Sequence, residues 1–264
     1  MKVLKILSIL LISLFGMSID ASSVLPEPKN KPIVVALIDT GINPDLKDQI
    51  SLCKYGHRDY TGQGLDDANG HGSHLAGLID SYAKNTIIDY VSIVKVNYCL
   101  VILKIIDSGN QSDGFRGIDP LANEIKALRF AINIKVDVIN LSLSGVTPSK
   151  EETLLIKEAL DKGIKIVVAA GNFGQEIGSI NAAGIKVDVY PAIDDERLVV
   201  VGSILSNGKR TLTSNYGPIV KTWEHGHEAV SFCATGLSYC SMSGTSQSTA
   251  IKTGKIVWDM LRHR

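Results

Sequence analysis

The stretch IVVALIDTG, Ile33 to Gly41, is an unbroken run of β-branched and aliphatic residues that stops abruptly at Asp39, Thr40 and Gly41. A strand with one wet face alternates apolar and polar residues, so a run without alternation fits a strand covered on both faces, as in a parallel sheet. The pattern recurs in VILKII (Val101 to Ile106), VDVINLSL (Val136 to Leu143), IKIVVAA (Ile164 to Ala170) and LVVVGSI (Leu198 to Ile204). Between these runs lie amphipathic segments of helix length, DPLANEIKALRFAINI (Asp119 to Ile134) and PSKEETLLIKEALDKG (Pro148 to Gly163). In the second, Ser149 can cap, Glu151 and Glu152 fall in the positive first turn, and Gly163 can close the end. The alternation predicts an α/β fold: a doubly wound, mostly parallel sheet with helices on both faces, three layers in all.

With 264 residues and 45% hydrophobic content, the chain can bury one sizeable core. Residues 1–21 read as an export signal, with Lys2 and Lys5, then the apolar ILSILLISLFGM, then the small pair Ala21 and Ser22. That stretch is short for a membrane span, which needs about 20 residues, so no stable span is expected after cleavage, although Ile19 fits a cleavage site imperfectly. Residues 22–32, SSVLPEPKNKP at their core, form a Pro-rich linker, and 33–264 form the folded domain. Lys+Arg and Asp+Glu both number 27, and with no basic block nucleic acid is not an expected partner. Export permits disulfides between the four cysteines. Cys233 with Cys240 is the first pairing expected, because they bracket a short loop; Cys53 with Cys99 then remains, and four free thiols are the alternative.

Three polar motifs sit where such sheets bind ligands, beyond the carboxyl ends of the strands. Asp39 ends the first strand, although an Asp there also makes Asx-turns. In DDANGHGSHLAGLI (Asp66 to Ile79), His71 stands between two glycines at a helix start. A solvated turn histidine is the competing reading, and a His71/His74 metal pair lacks further ligands. In CSMSGTSQSTA (Cys240 to Ala250), Ser246 precedes an apolar-periodic run and, on that window alone, is best read as a helix-start residue. Together Asp39, His71 and Ser246 can form a nucleophilic triad. Asn172, after IKIVVAAG, offers an amide to a developing oxyanion, and the backbone N–H of Ser246 offers a second donor.

In this order and spacing, DTG at Asp39, GHGSH at His71, AAGN at Asn172 and GTS at Ser246 resemble the subtilisin-like serine proteases. VINLSLSG (Val138 to Gly145), YPAIDDERLVVVGS (Tyr190 to Ser203) and SNYG (Ser214 to Gly217) extend the resemblance from about Lys31 to the C-terminus. It implies a subtilisin-like fold and an exported serine endopeptidase working through an acyl-enzyme. It also implies an extended substrate along Ser142, Leu143 and Ser144, and a side-chain pocket between Ser144, Gly145 and Ala169, Ala170, Gly171. No cofactor is implied for catalysis. Calcium is the family's usual structural metal, and Asp45 resembles one ligand position, but a single carboxylate is thin support. The expected partner is a polypeptide substrate; the enzyme is expected to be a monomer, secreted or periplasmic.

There are departures. Gln247, Ser248, Thr249 and Ala250 stand where the family carries Met-Ala-(Ser or Thr)-Pro, Ser144 replaces a customary glycine, and CATG (Cys233 to Gly236) replaces Ala-Pro-Gly. Few residues separate the signal from the first strand, so the domain either folds unaided or uses a separate folding assistant. A secreted binding or regulatory protein on an inactive scaffold is the competing reading.

Overall fold

The computed structural model describes residues 31–85, 97–106 and 119–264. The expected signal, and all but the end of the expected linker, lie outside the described residues.

Strand β1 (Ile33–Asp39) sits inside the sheet, flanked by β3 (Tyr98–Lys104) and β4 (Val138–Leu141). Beyond β3 lies β2 (Arg58–Asp59); beyond β4 come β5 (Lys165–Ala169), β6 (Val199–Ser203) and β7 (Thr222–Glu224). The order of the seven-stranded sheet is β2-β3-β1-β4-β5-β6-β7, and every pairing is parallel. Helices α1 (His71–Ala83) and α4 (Thr245–Arg262) cover one face, and α2 (Pro120–Asn133) and α3 (Lys150–Asp161) the other.

This arrangement explains the missing alternation in β1. Val35 and Leu37 pack in the core beneath α1 and α4, with Leu75, Ile79 and Ile251, whereas Ala36 and Ile38 pack opposite them with Leu128 and Ile156 of α2 and α3. Burying an aliphatic side chain on either face contributes roughly 1.5–3 kcal/mol, so neither face tolerates a polar residue. The two expected helices form, the second with its expected cap. Asp119 accepts from the N–H groups of Leu121 and Ala122, and Ser149 accepts from Glu152 N–H. A two-stranded antiparallel sheet, β8 (Ala229–Phe232) and β9 (Tyr239–Met242), packs on α1, where Gly77 leaves no room for a Cβ beside Ser231 and Phe232.

Cys53 and Cys99 lie at disulfide-bonding distance, whereas Cys233 and Cys240 are free thiols. The first pairing expected is therefore not the one brought to bonding distance. In the β8–β9 register Cys240 faces Ser231, and Cys233 N–H donates to Ser238 O, so the two cysteines are diagonal neighbours rather than a facing pair. Burial, then the adjacent Cys233, pushes the Cys240 thiol up to about 11.

The acidic pair expected in the first turn of α3 divides. Glu151 is exposed and meets Arg129 of α2 at 2.7 Å, whereas Glu152 is buried against buried Glu124 of α2. Burial raises the Glu124 carboxyl well above its ordinary range, and the charge of Glu152 raises it further; burial also raises Glu152. Folding therefore takes up a proton here. That contribution to stability is complete below the unfolded Glu pKa and is lost as pH rises through the folded value. Glu124→Gln supplies the donor without a proton, so it should raise the melting temperature at pH 8 by roughly 2–4 °C, about 1 kcal/mol, and leave it nearly unchanged at pH 4. Thermal melts at the two pH values test this; an equal shift at both would show that the pair carries no pH-dependent term.

Candidate active site

Asp39 is the last residue of β1 and is only 3% exposed; its Oδ1 lies 2.8 Å from His71 Nδ1. The same oxygen accepts the N–H of Thr40 at 2.8 Å, which fixes the carboxylate before the imidazole arrives. His71 is the first residue of α1, and its ring is 27% exposed.

The two glycines beside His71 have separate reasons. Gly70 has φ +90°, a left-handed conformation, and a Cβ there would lie 3.0 Å from the Cβ of Ala234. A Cβ on Gly72 would collide with the carbonyl oxygen of Gly41, so only glycine lets α1 start this close to the end of β1. The first-turn N–H groups, which no helix can satisfy internally, all find side chains. His71 N–H donates to Asn69 Oδ1, Gly72 N–H to Thr40 Oγ1, and Ser73 N–H to Asp67 Oδ2.

Asp67, 2% exposed, is the residue that sequence reasoning passed over. It also accepts from Gly70 N–H, Ser73 Oγ and Thr40 Oγ1, so one carboxylate joins the strand end to the helix start. Its signal was an aspartate three residues ahead of a glycine at the helix start. Lys104, buried at the end of β3 beside Asp39 in the ladder, was also overlooked; its Nζ donates to Asp66 O at 2.7 Å. His74 is buried, with Nε2 against the carbonyls of Ala229 and Cys240, and so serves the β8–β9 sheet. No group of three or more His, Cys, Asp or Glu gathers as a metal would require among the described residues. Asp45 Oδ2 accepts Gly236 N–H at 3.1 Å.

Ser246 is the second residue of α4, half-buried. Its Oγ donates to the carbonyl of Ser142 at 2.9 Å and forms no hydrogen bond to His71. Ser142 replies through its own Oγ, which donates to Ser246 O at 3.0 Å and accepts from Asn140 Nδ2, while Thr253 Oγ1 donates to Asn140 Oδ1. This buried chain of polar groups fixes α4 to the end of β4.

The carboxamide of Asn172 is oriented by Thr245. Its Oδ1 accepts Thr245 N–H at 2.9 Å and Thr245 Oγ1 at 3.1 Å. Its Nδ2 is thereby left to face outward, 3.2 Å from where a Cβ on Gly244 would sit. Neither Asn172 Nδ2 nor Ser246 N–H has a partner among the described residues. Of the residues after Ser246 that depart from the expected pattern, Ser248 Oγ donates across to Glu224 O at the end of β7, and Thr249 Oγ1 donates within the helix to Thr245 O.

Ser142 is buried, Leu143 half-buried, Ser144 and Gly145 exposed, and Ala169, Ala170 and Gly171 are buried along the opposite edge. Gly145 and Tyr190 exchange both backbone hydrogen bonds at 2.9 Å. A cavity of about 380 Å³ opens beside them, lined by Val146, Phe173, Gln175, Val189 and Tyr190 among others. It flanks the expected pocket residues and is not lined by them.

Burial, Asp39 and Asp67 act on His71 in opposite senses. Burial lowers its pKa, but the charge and hydrogen bond of Asp39, with the charge of Asp67, outweigh this and hold it above 6.5.

Asp39 and His71 meet at the end of β1 and Ser246 stands at the start of α4; comparison with known proteins gives the class, the subtilisin-like serine proteases. The model for the Subtilase family matches residues 30–257. The major intracellular serine protease of Bacillus subtilis (strain 168) is 30% identical over 233 residues, covering 86% of this chain and 68% of its own length. Subtilisin DY of Bacillus licheniformis is 31% identical, covering 84% and 74%. The thermostable alkaline protease of Halalkalibacterium halodurans is 32% identical over 81% of this chain, which spans about half, 53%, of that relative's length. Among solved structures, a lanthipeptide protease matches at TM-score 0.72 and 21% identity, over 88% of this chain and 74% of that one. A cold adapted subtilisin-like serine proteinase matches at 0.62 and 23% identity, over 88% and 77%; both support the fold. The chain belongs to the subtilase family and is a serine-type endopeptidase.

Because the Asp67 charge contributes to raising His71, Asp67→Asn should lower the His71 pKa, read by NMR titration of the imidazole, and should cost about 2–3 kcal/mol of stability through weakened helix-start bonds. An unchanged titration in a folded variant would remove Asp67 from the electrostatics of the site.

Proposed function

We propose that the protein is an exported endopeptidase in which Ser246 attacks the scissile carbonyl, His71 takes the hydroxyl proton and Asp39 holds the imidazole. The observation that carries this is the 2.8 Å contact between buried Asp39 and the outer-facing His71. It directs the Nδ1 proton to the carboxylate, leaving Nε2 as the base. To react, Ser246 Oγ must exchange its bond to Ser142 O for one to His71, a side-chain rotation of the kind that often tightens only when substrate binds. Asn172 Nδ2 and Ser246 N–H would then hold the oxyanion. As the tetrahedral intermediate collapses, the imidazolium gives its proton to the leaving amine and the C–N bond breaks to leave the acyl-enzyme; His71 then takes a proton from water as it attacks the ester and returns it to Ser246 Oγ as the acid product departs.

Substrate would lie extended against Ser142, Leu143 and Ser144, adding a strand through backbone hydrogen bonds. The side chain beside the scissile bond would enter between Ser144, Gly145 and Ala169 to Gly171. Export to a periplasm or the exterior is supported by the N-terminal sequence and by the cysteine pair Cys53 and Cys99 at bonding distance. No described helix is long and apolar enough to cross a membrane. The protein is read as a monomer.

A fluorophosphonate should label the wild type and spare Ser246→Ala, and casein cleavage should fall by at least about 10³-fold in that variant. Equal labelling of the two proteins would leave the inactive-scaffold reading in its place. Since the base must start neutral and the folded His71 pKa is raised, kcat/KM should climb with pH and reach half its plateau above pH 6.5. A profile already flat between pH 5 and 7 would contradict the base assignment.

A further inference from the structure

The turn that carries Asn172 leaves β5 at Ala169 and passes through Gly171 at φ +90° before reaching Gln175. Such a turn exposes its backbone groups, and they converge on one side chain. Asn215, fully buried, accepts the N–H groups of Phe173 and Gln175 on its Oδ1, both at 3.0 Å. Its Nδ2 donates to Ala170 O at 2.9 Å, and its own backbone N–H donates to Gly171 O at 2.9 Å. Every one of these contacts falls on a residue next to Asn172 or within three of it. The fit is close: a Cβ on Gly171 would lie 2.6 Å from Asn215 Nδ2.

The neighbours of Asn215 hold it in turn. Thr213 O accepts Gly174 N–H at 2.7 Å, and Tyr216 N–H donates to Gln175 O at 3.0 Å, so the chain on both sides of Asn215 runs alongside the turn. Ser214 Oγ donates to Asn215 O and accepts Ser203 N–H, which ties the segment to β6. From the other side, Thr245 Oγ1 accepts Gly171 N–H at 3.2 Å while donating to Asn172 Oδ1. The turn is thus gripped below by a carboxamide and above by the residue preceding Ser246.

We propose that Asn215 is a positioning residue for the oxyanion donor. It sets the backbone of the turn so that the Asn172 carboxamide, oriented at its tip by Thr245, aims Nδ2 at the carbonyl oxygen of a substrate. This rests on the assignment of Asn172 as an oxyanion donor. A carboxamide suits the task because it accepts two N–H groups on its oxygen and donates to a carbonyl from its nitrogen, all within one turn. Preorganised donors stabilise charge only if they stay in place while it develops, so loosening this grip should act on turnover rather than on substrate binding.

The test is a double-mutant cycle of Asn215→Ala and Asn172→Ala, with kcat and KM measured on one peptide substrate. Asn172→Ala should itself lower kcat; for subtilisin, the type case of such a donor, the loss is roughly 10²–10³-fold, and that order is expected here. Asn215→Ala should lower kcat by at least about 10-fold with KM within about twofold, and should change kcat by less than about twofold when Asn172 is already alanine. Should Asn215→Ala fail to fold, the near-isosteric Asn215→Asp keeps the acceptor for Phe173 and Gln175 but sets an oxygen against Ala170 O, so a kcat loss with the same disappearance is expected. Equal fractional losses in both Asn172 backgrounds would overturn the positioning role and leave Asn215 as fold support. No kcat loss from either Asn215 variant would overturn it too. A normal kcat in Asn172→Ala would strike the oxyanion assignment instead, which separates the two failures.

Discussion

The contact between Asp39 and His71 joins the end of a buried strand to the first residue of a helix, and most of the surrounding structure exists to make that junction close. Helix α1 must start almost on top of β1, which only glycine at position 72 permits beside Gly41 O. Its orphan N–H groups cannot reach water at such a junction and would each be costly if left unpaired. Thr40 and Asp67 remove that cost, and the Asp67 charge beside the helix's positive end also favours protonation of His71. The same groups that stabilise the helix start therefore also act on the His71 pKa.

The serine side is built by the opposite device. Asp67 concentrates its hydrogen bonds in one carboxylate, whereas α4 is fixed by a relay of neutral groups, from Thr253 through Asn140 and Ser142 to Ser246. No charge is buried, so no ion pays a desolvation penalty. The first turn of α4 is correspondingly small and polar, with each hydroxyl bonded to a nearby carbonyl. Sequence that reads as a helix cap is here a packed polar layer, which is how Ser246 can both start a helix and present its hydroxyl.

Much of this was legible. Unalternated apolar runs identify strands covered on both faces, because the physics of two-sided burial leaves that trace in each strand. The start of α3 was readable for a similar reason, since Ser149 acts on an N–H group only three residues away. Asp39, His71, Asn172 and Ser246 could be singled out because motif and strand end coincide. What escaped was non-local. Glu152 looks like any helix-start acid until α2 brings Glu124 against it, and Asp67 looks like a loop residue until β1 supplies Thr40. The cysteines failed likewise: a short intervening loop suggested that Cys233 and Cys240 bond, but a one-step diagonal in the strand register decides otherwise. Asn215 lay within a quoted turn motif, yet its four bonds go to a turn some forty residues earlier.

The resting hydrogen bond of Ser246 to Ser142 O follows from the same economy. An unpaired hydroxyl in a half-buried site is unfavourable, and the edge carbonyl is the acceptor within reach. That carbonyl ends the very strand edge along which an extended substrate is expected to lie. A chain docking there, and the exclusion of water that comes with it, would change the surroundings of both acceptors open to the hydroxyl, Ser142 O and the His71 ring. In the proposed mechanism the hydroxyl would pass from one to the other by rotation about its side-chain bond, while the Asn140 relay holds the helix. Under that proposal Ser246 would be mobile in its last bond while its backbone N–H stays fixed, which is the division that oxyanion stabilisation requires.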